Sequence, residues 1–391
     1  MPEPPPPTRT GRYVRRSTAD EPFWAFVPHP LPPEPPLALS PDLEALRDRA
    51  SESLGRLDMI STLLPDAGLF IYFYVRKEAL LSSQIEGTQS SFSDLLLYET
   101  DEAPGVPLAD VEEVSRYVEA MTHGLVRIRD GFPLSLRLIR EIHEILLASG
   151  RGVDKAPGEF RRSQNWIGGP RPGRARFVPP PPEEVMAAMG ALETFLHDIP
   201  VRTPVLIKAA LAHVQFETIH PFLDGNGRVG RLLVTFLLCA EEVLSEPMLY
   251  LSLYLKRNRD RYYDLLQRVR TEGAWEEWIE FFLTGVIETA AQAVAAARSI
   301  RQLFDEDRAA IGTLGRSAGT AARVHALLQR RPIVSAAAVA DALDVSSTTA
   351  GSALVNLESL GIVREATGKA RNRLFTYAPY LDILDDGTEP L

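Results

Sequence analysis

The chain of 391 residues has one cysteine, Cys239, and seven histidines. A single cysteine closes no intrachain disulfide, and no cysteine cluster is present to build a zinc site. Cys239 lies in an apolar run and is expected as a buried thiol. No window approaches 18 uncharged apolar residues, so no membrane span is expected. No signal peptide is expected in residues 1–36, which are proline-rich and polar. Positive charge is also short. The 42 Lys and Arg against 52 Asp and Glu leave a net charge of −10, which argues against bulk attraction to nucleic acid or an anionic membrane. Together these absences lead to the expectation of a reducing, cytoplasmic setting. What is present is 45% hydrophobic and 24% charged residues, enough for a packed core, over a length that suits two or three domains.

The most informative segment is residues 220–231, His-Pro-Phe-Leu-Asp-Gly-Asn-Gly-Arg-Val-Gly-Arg. Val229, Leu232, Leu233, Phe236 and Leu237 follow at helical spacing, so a glycine loop opens a helix here. Backbone N–H groups at such a junction attract anions. Gly225 and Gly227 let the backbone approach phosphates without a Cβ, and the Asn226 amide can donate to a phosphate oxygen. Arg228 and Arg231, three residues apart, share a helix face and can grip neighbouring phosphates. Asp224 is the candidate Mg²⁺ ligand, and His220 is the candidate general base. Base, anion cradle, metal ligand and arginine clamp together point to transfer of a phosphate-containing group. His213, two helical turns earlier, lacks the spacing of a zinc pair and is expected as a structural histidine.

This dodecapeptide resembles the signature of Fic proteins, His-Pro-Phe-x-Asp-Gly-Asn-Gly-Arg-x-x-Arg, with all nine defined positions present. Residues 212–219 resemble the helix that leads into that loop. The resemblance implies transfer of AMP from ATP, with Mg²⁺, to a hydroxyl of a target protein, the chain itself included. It implies that Phe222 anchors the loop in the core and that Arg228 and Arg231 bind the β- and γ-phosphates. Doc-like kinases carry lysine where this chain has Gly227, so the glycine favours nucleotidyl over phosphoryl transfer. Tyr262 and Tyr263 resemble the paired tyrosines bordering the adenine pocket. Adjacent helical residues point in different directions, so at most one should reach the base. Ser82-x-x-x-Glu86-Gly87, within residues 75–88, resembles the motif of the subgroup with an N-terminal inhibitory helix. It implies that Glu86 pairs with Arg231 and leaves the triphosphate misaligned. Two other readings stand beside this one: removal of AMP with Glu86 orienting a water, and a transcriptional regulator whose core senses nucleotide.

The expected fold class is mainly α. Residues 1–36 read as an extended or disordered proline-rich arm, and 37–105 as an N-terminal helical region holding the inhibitory helix. Residues 106–300 read as the Fic helical bundle core. Within it, 158–181 reads as a β-hairpin that resembles the Fic flap, with Ile167, Gly168 and Gly169 on its first strand. Residues 320–381 read as three helices and a hairpin around a basic tip of Lys369, Arg371 and Arg373, resembling a winged helix. Its third helix, 346–360, has no Lys or Arg, which is thin for DNA. A protein contact or homodimerisation is therefore favoured there over DNA binding.

Overall fold

In the computed structural model, residues 8–18, 21–63, 67–99, 108–150, 152–367 and 373–390 are described; Lys369 and Arg371 of the expected basic tip lie outside them. Within the arm expected as extended or disordered, residues 11–18 and 21–28 are extended and paired. β1 (Gly11–Thr18) pairs antiparallel with β2 (Glu21–Pro28), with Gly11 opposite Pro28 and Thr18 opposite Glu21. Pro22 and Pro28 sit at the two ends of β2, where a missing N–H interrupts no central ladder bond. Phe23 and Ala25 bury against Val178 in a small cluster of their own.

The helical body begins with α1 (Pro41–Leu63), where Ser40 Oγ accepts the Leu43 N–H at 3.2 Å as a cap. α2 (Ala67–Ile85), α3 (Phe92–Glu99), α4 (Leu108–Arg129) and α5 (Leu136–Leu146) follow. After an irregular stretch come α6 (Pro182–Leu196), α7 (Val205–Ile219) and α8 (Asn226–Ala240). α9 (Ser252–Arg257), α10 (Arg259–Glu272) and α11 (Trp275–Gly312) complete the bundle. Every residue of α7 from Leu206 to Ile219 is buried. A helix buried all round belongs at the centre, and α7 packs against α6, α8, α10, α11 and β2. Its one lysine, Lys208, is fully buried and offset by Asp198 at 2.8 Å and Glu241 at 2.6 Å. α11 is long and apolar enough by length and composition to cross a membrane, with half of that window buried. Here Trp275, Trp278, Phe282 and Val286 turn its apolar face into the bundle. Cys239 is only partly buried, and desolvation pushes its thiol up to about 12.

Beyond α11 the chain forms α12 (Ala318–Arg330), β3 (Ile333–Ser335), α13 (Ala336–Leu343), α14 (Ser347–Ser359), β4 (Arg364–Glu365) and β5 (Leu374–Thr376). The three strands pair antiparallel in the order β3-β5-β4. Ser346 caps α14 by accepting the Thr349 N–H at 3.1 Å. α15 (Ala378–Asp385) was not foreseen. The segment after it returns to α2, where Gln84 Nε2 donates to Thr388 O and Lys77 Nζ to Asp386 O, both at 2.7 Å.

The expected flap hairpin is shorter than its sequence suggested. Ile167 and Phe177 exchange two backbone bonds, at 2.8 and 3.1 Å, and form a single bridge. One further bond, from Arg176 N–H to Gly168 O at 2.7 Å, lies on the tip side, and Pro170 and Pro172 lack the N–H donors to carry the ladder further. Gly169 (φ 106°) passes so close to the Arg174 carbonyl that a Cβ would lie 2.3 Å from it. On the return side Val178 O accepts the Phe26 N–H at 2.9 Å, so β2 braces the flap.

Candidate active site

His220 ends α7 in the left-handed region (φ 49°, ψ 59°). That conformation is costly for a residue with a Cβ. It is held by Arg161 Nε, which donates to His220 O at 2.9 Å, and by Asn165 Nδ2, which donates to the same oxygen at 3.3 Å. The imidazole is one-fifth exposed; its Nδ1 has no hydrogen-bond partner and lies 3.9 Å from Glu217 Oε2. Burial, then the Arg270 and Arg161 charges, pushes its pKa down to about 3. The ring is therefore neutral at neutral pH and able to accept a proton.

The loop after His220 is rigid for reasons the motif conceals. Asn226 Oδ1 accepts the Phe222 N–H and its Nδ2 donates to Phe222 O, both at 2.9 Å. Both polar atoms of the Asn226 amide thus close the loop, and the second N–H of Nδ2 is left for a ligand oxygen. Phe222 is fully buried and stacks on His143, with ring centroids 3.6 Å apart and 5° between planes. His143 Nδ1 accepts the Gly158 N–H at 2.9 Å, so Nε2 carries the proton and donates to Asp224 O at 3.1 Å. Desolvation pushes the His143 pKa down to about 4, in keeping with that neutral tautomer. Gly225 (φ 74°) then turns the chain into α8, whose first intrahelical bond runs from Val229 N–H to Gly225 O at 3.0 Å. The N–H groups ahead of it belong to the open first turn. Asp224 is nearly half exposed, and its Oδ1 accepts the Gly225 N–H at 2.6 Å. No cluster of three His, Cys, Asp or Glu exists among the described residues. A Mg²⁺ ion here would be held by one carboxylate plus phosphate oxygens and waters, a donor set that suits it.

Both candidate clamp arginines already face carboxylates. Arg231 Nη2 donates to Glu86 Oε1 at 2.7 Å and to Ser82 O at 3.0 Å, while its Nε donates to Ser82 Oγ at 2.7 Å. Burial opposes its charge, but Glu86 and the Tyr262, Tyr263 and Tyr117 hydroxyls outweigh that and hold its pKa above the ordinary arginine range. Glu86 follows α2 directly and lies against the glycine loop: a Cβ on Gly227 would sit 2.2 Å from Glu86 Oε1. Arg228 Nη1 is 2.9 Å from Glu113 Oε1, too misaligned for a hydrogen bond, and its buried Nε has no hydrogen-bond partner. Glu113 was not foreseen; it is a buried residue of α4, 115 residues before Arg228 in the chain.

The two tyrosines separate as helical geometry requires. Tyr262 is buried, and its hydroxyl donates to His213 Nε2 at 2.8 Å, while His213 Nδ1 donates to Gly230 O at 2.9 Å. Both residues are thereby structural. Tyr263 is half-buried, with Arg259 over its ring at 5.4 Å. Burial and the Glu86 charge push its hydroxyl up to about 12. Arg161 and Arg270 are buried supports that sequence reasoning missed. Arg161 also bonds Pro180 O at 2.5 Å. Arg270 bonds Thr218 Oγ1 at 3.2 Å and Glu217 O at 3.0 Å and lies over Phe177 of the flap at 4.2 Å. Ile167, Gly168 and Gly169 stand on the flap beside this mouth, while Gly225 and Gly227 form the loop itself.

Residues 133–238, which contain the loop, both arginines and His220, match the Fic/DOC family, and residues 45–126 match the Fic/DOC family N-terminal region. The chain carries a Fic/DOC domain. It is similar to the protein adenylyltransferase Fic of Aedes aegypti, 36% identical over 149 residues, covering 38% of this chain and 27% of that protein. A probable protein adenylyltransferase of Aquifex aeolicus is 30% identical over 205 residues, covering 52% and 58%. The chain thus spans about a quarter of the insect relative's length and over half of the bacterial one. Among solved structures, a Fic family protein from Desulfovibrio desulfuricans superposes with a TM-score of 0.57 at 18% identity, over 88% of this chain and 97% of that one. A Fic domain containing signaling protein from Bacteroides thetaiotaomicron gives 0.52 at 22% identity, over 64% and 97%. At those identities the likeness is one of fold, and it places the mainly helical bundle with Fic structures.

Proposed function

We propose that this chain is an autoinhibited protein adenylyltransferase that moves AMP from Mg·ATP to a Ser, Thr or Tyr hydroxyl of a target protein or of itself. One arrangement carries the reading. A neutral His220 stands at the rim of the α8 N-terminus, and the Glu86 carboxylate lies against Gly227 while bonded to Arg231. An anion cradle occupied by a carboxylate from the same chain is a site held shut by charge. The relatives named above as protein adenylyltransferases support that chemistry.

In this reading the acceptor hydroxyl gives its proton to His220 as its oxygen bonds to the α-phosphorus. The bond to the bridging oxygen breaks and pyrophosphate leaves. The first turn of α8 and the Arg228 and Arg231 guanidiniums receive the phosphate charge. Mg²⁺, held through Asp224, would offset charge on the leaving group. Tyr263, not Tyr262, borders the adenine, since the Tyr262 hydroxyl is engaged with His213. The unit from α12 to β5 serves a protein contact, a second copy included, because α14 offers no basic residue to a phosphate backbone.

The test is a double substitution. Glu86→Gly should raise AMP incorporation from labelled ATP by more than about tenfold, because one guanidinium cannot serve the carboxylate and a phosphate in full geometry. Arg231→Ala in the same chain should abolish that gain. If the double variant transfers AMP as fast as Glu86→Gly alone, inhibition does not act through Arg231.

A further inference from the structure

Between residues 161 and 176 the flap carries five arginines and no Asp or Glu, in a chain of net charge −10. Arg161 is buried beneath His220, and Arg171 is answered by Glu21 at 3.1 Å. Of the others, Arg162 makes only a long, exposed ion pair: it is 89% exposed, with its nearest carboxylate oxygen at 3.7 Å on Glu159. Arg174 and Arg176 are exposed and have no ion pair among the described residues. Among them stands Trp166, 39% exposed, its Nε1 donating to Gly169 O at 3.0 Å so that the ring is pinned across the flap. An exposed aromatic pinned to Gly169, which lies against Arg174, with Arg176 beside the adjoining Gly168, has the composition of a binding hot spot.

Resting on the transferase reading, we propose that this face of the flap selects the acceptor: it takes a protein segment in which the reacting hydroxyl is flanked by Asp and Glu. Arg162, Arg174 and Arg176 receive the carboxylates, and Trp166 receives an apolar side chain beside them. The face leads to the reacting centre, because Asn165, next to Trp166, donates to both His220 O and Phe222 O. A nucleic acid would need a track of stacking aromatics and would meet the net negative charge of the rest of the chain; the flap offers one exposed tryptophan.

Two short labelled peptides test this, each with one tyrosine, flanked in one by Asp and Glu and in its twin by Asn and Gln. They are titrated against the full chain and against R162Q/R174Q/R176Q by fluorescence anisotropy. The acidic peptide should bind at least about tenfold more tightly than its twin, and the gap should close in the triple variant and shrink at high salt. Equal binding of the twins overturns the proposal. A single-stranded oligonucleotide that displaces the acidic peptide and binds more tightly through the same arginines also overturns it, in favour of a nucleic acid partner. AMP transfer to both peptides by Glu86→Gly is read separately. Tight acidic binding without transfer strikes the transferase reading and leaves the surface. Equal transfer to and equal binding of both peptides strike the surface and leave the transferase.

Discussion

At the scale of single residues, the decisive question is how one imidazole can be both buried and useful. His220 is held neutral by desolvation and by two arginines, with a pKa of about 3 against an ordinary 6.5. A depressed pKa means that the fold prefers the uncharged ring, so stability tied to it is present above pH 6.5 and is lost as pH falls toward 3. The same burial makes it a weak base until negative charge arrives. In the proposed reaction Mg·ATP would bring that charge and should raise the pKa. Histidine-detected NMR should show His220 titrating well below the usual range in the free chain and moving upward with a non-hydrolysable ATP analogue. No upward movement would mean that the triphosphate does not reach this ring. His220→Ala should lower AMP transfer by about 10²- to 10⁴-fold while ATP affinity is retained.

Elements decide where those residues stand. The turn from α7 to α8 is positioned by Asn226 on the Phe222 backbone, His143 on Asp224 O and Arg161 on His220 O. Asn226→Ala removes two buried hydrogen bonds and leaves the Phe222 N–H without a partner, while Phe222 O keeps the Asn165 amide, which should cost about 2 kcal/mol of stability. Urea unfolding should show the loss, and transfer should fall with it. A variant that unfolds at the wild-type urea concentration yet loses ATP affinity would make Asn226 a ligand residue instead. The helices and the loop itself were legible in the sequence, since apolar spacing, Gly225 and the twelve-residue motif are local signals. The supports were not, because their partners lie far along the chain: His143 meets Asp224 across 81 residues and Arg161 meets His220 across 59. The β1–β2 hairpin was hidden for a related reason. Prolines dominate its surroundings, and the strand it braces, at Val178, is remote in sequence. The lone Ser82-x-x-x-Glu86 pattern could be tied to Arg231 beforehand only through resemblance, never through spacing.

Over the whole molecule, the Glu86 carboxylate is connected to residues 386–389. α2 carries Lys77, Gln84 and, just past its last turn, Glu86. Gln84 Nε2 donates to Ser90 O at 2.9 Å and to Thr388 O at 2.7 Å, and Lys77 Nζ donates to Asp386 O at 2.7 Å. Lys256 Nζ, on α9, reaches Gly387 O at 3.3 Å and also bonds Glu389 O. Residues 386–389 thus strap α2 to the bundle from the side opposite Arg231, and Thr388 is itself buried. Loosening the strap should let the end of α2 open more often, and each opening frees Arg231 for phosphate. Gln84→Ala and Lys77→Met should therefore each raise AMP transfer a few-fold over the unaltered chain, with faster hydrogen exchange confined to residues near 82–90. In a Glu86→Gly background neither substitution should change the rate, because the contact whose opening they favour is already gone. A rate gain that persists in that background would place the effect of the strap elsewhere in the bundle and not on the Glu86–Arg231 contact.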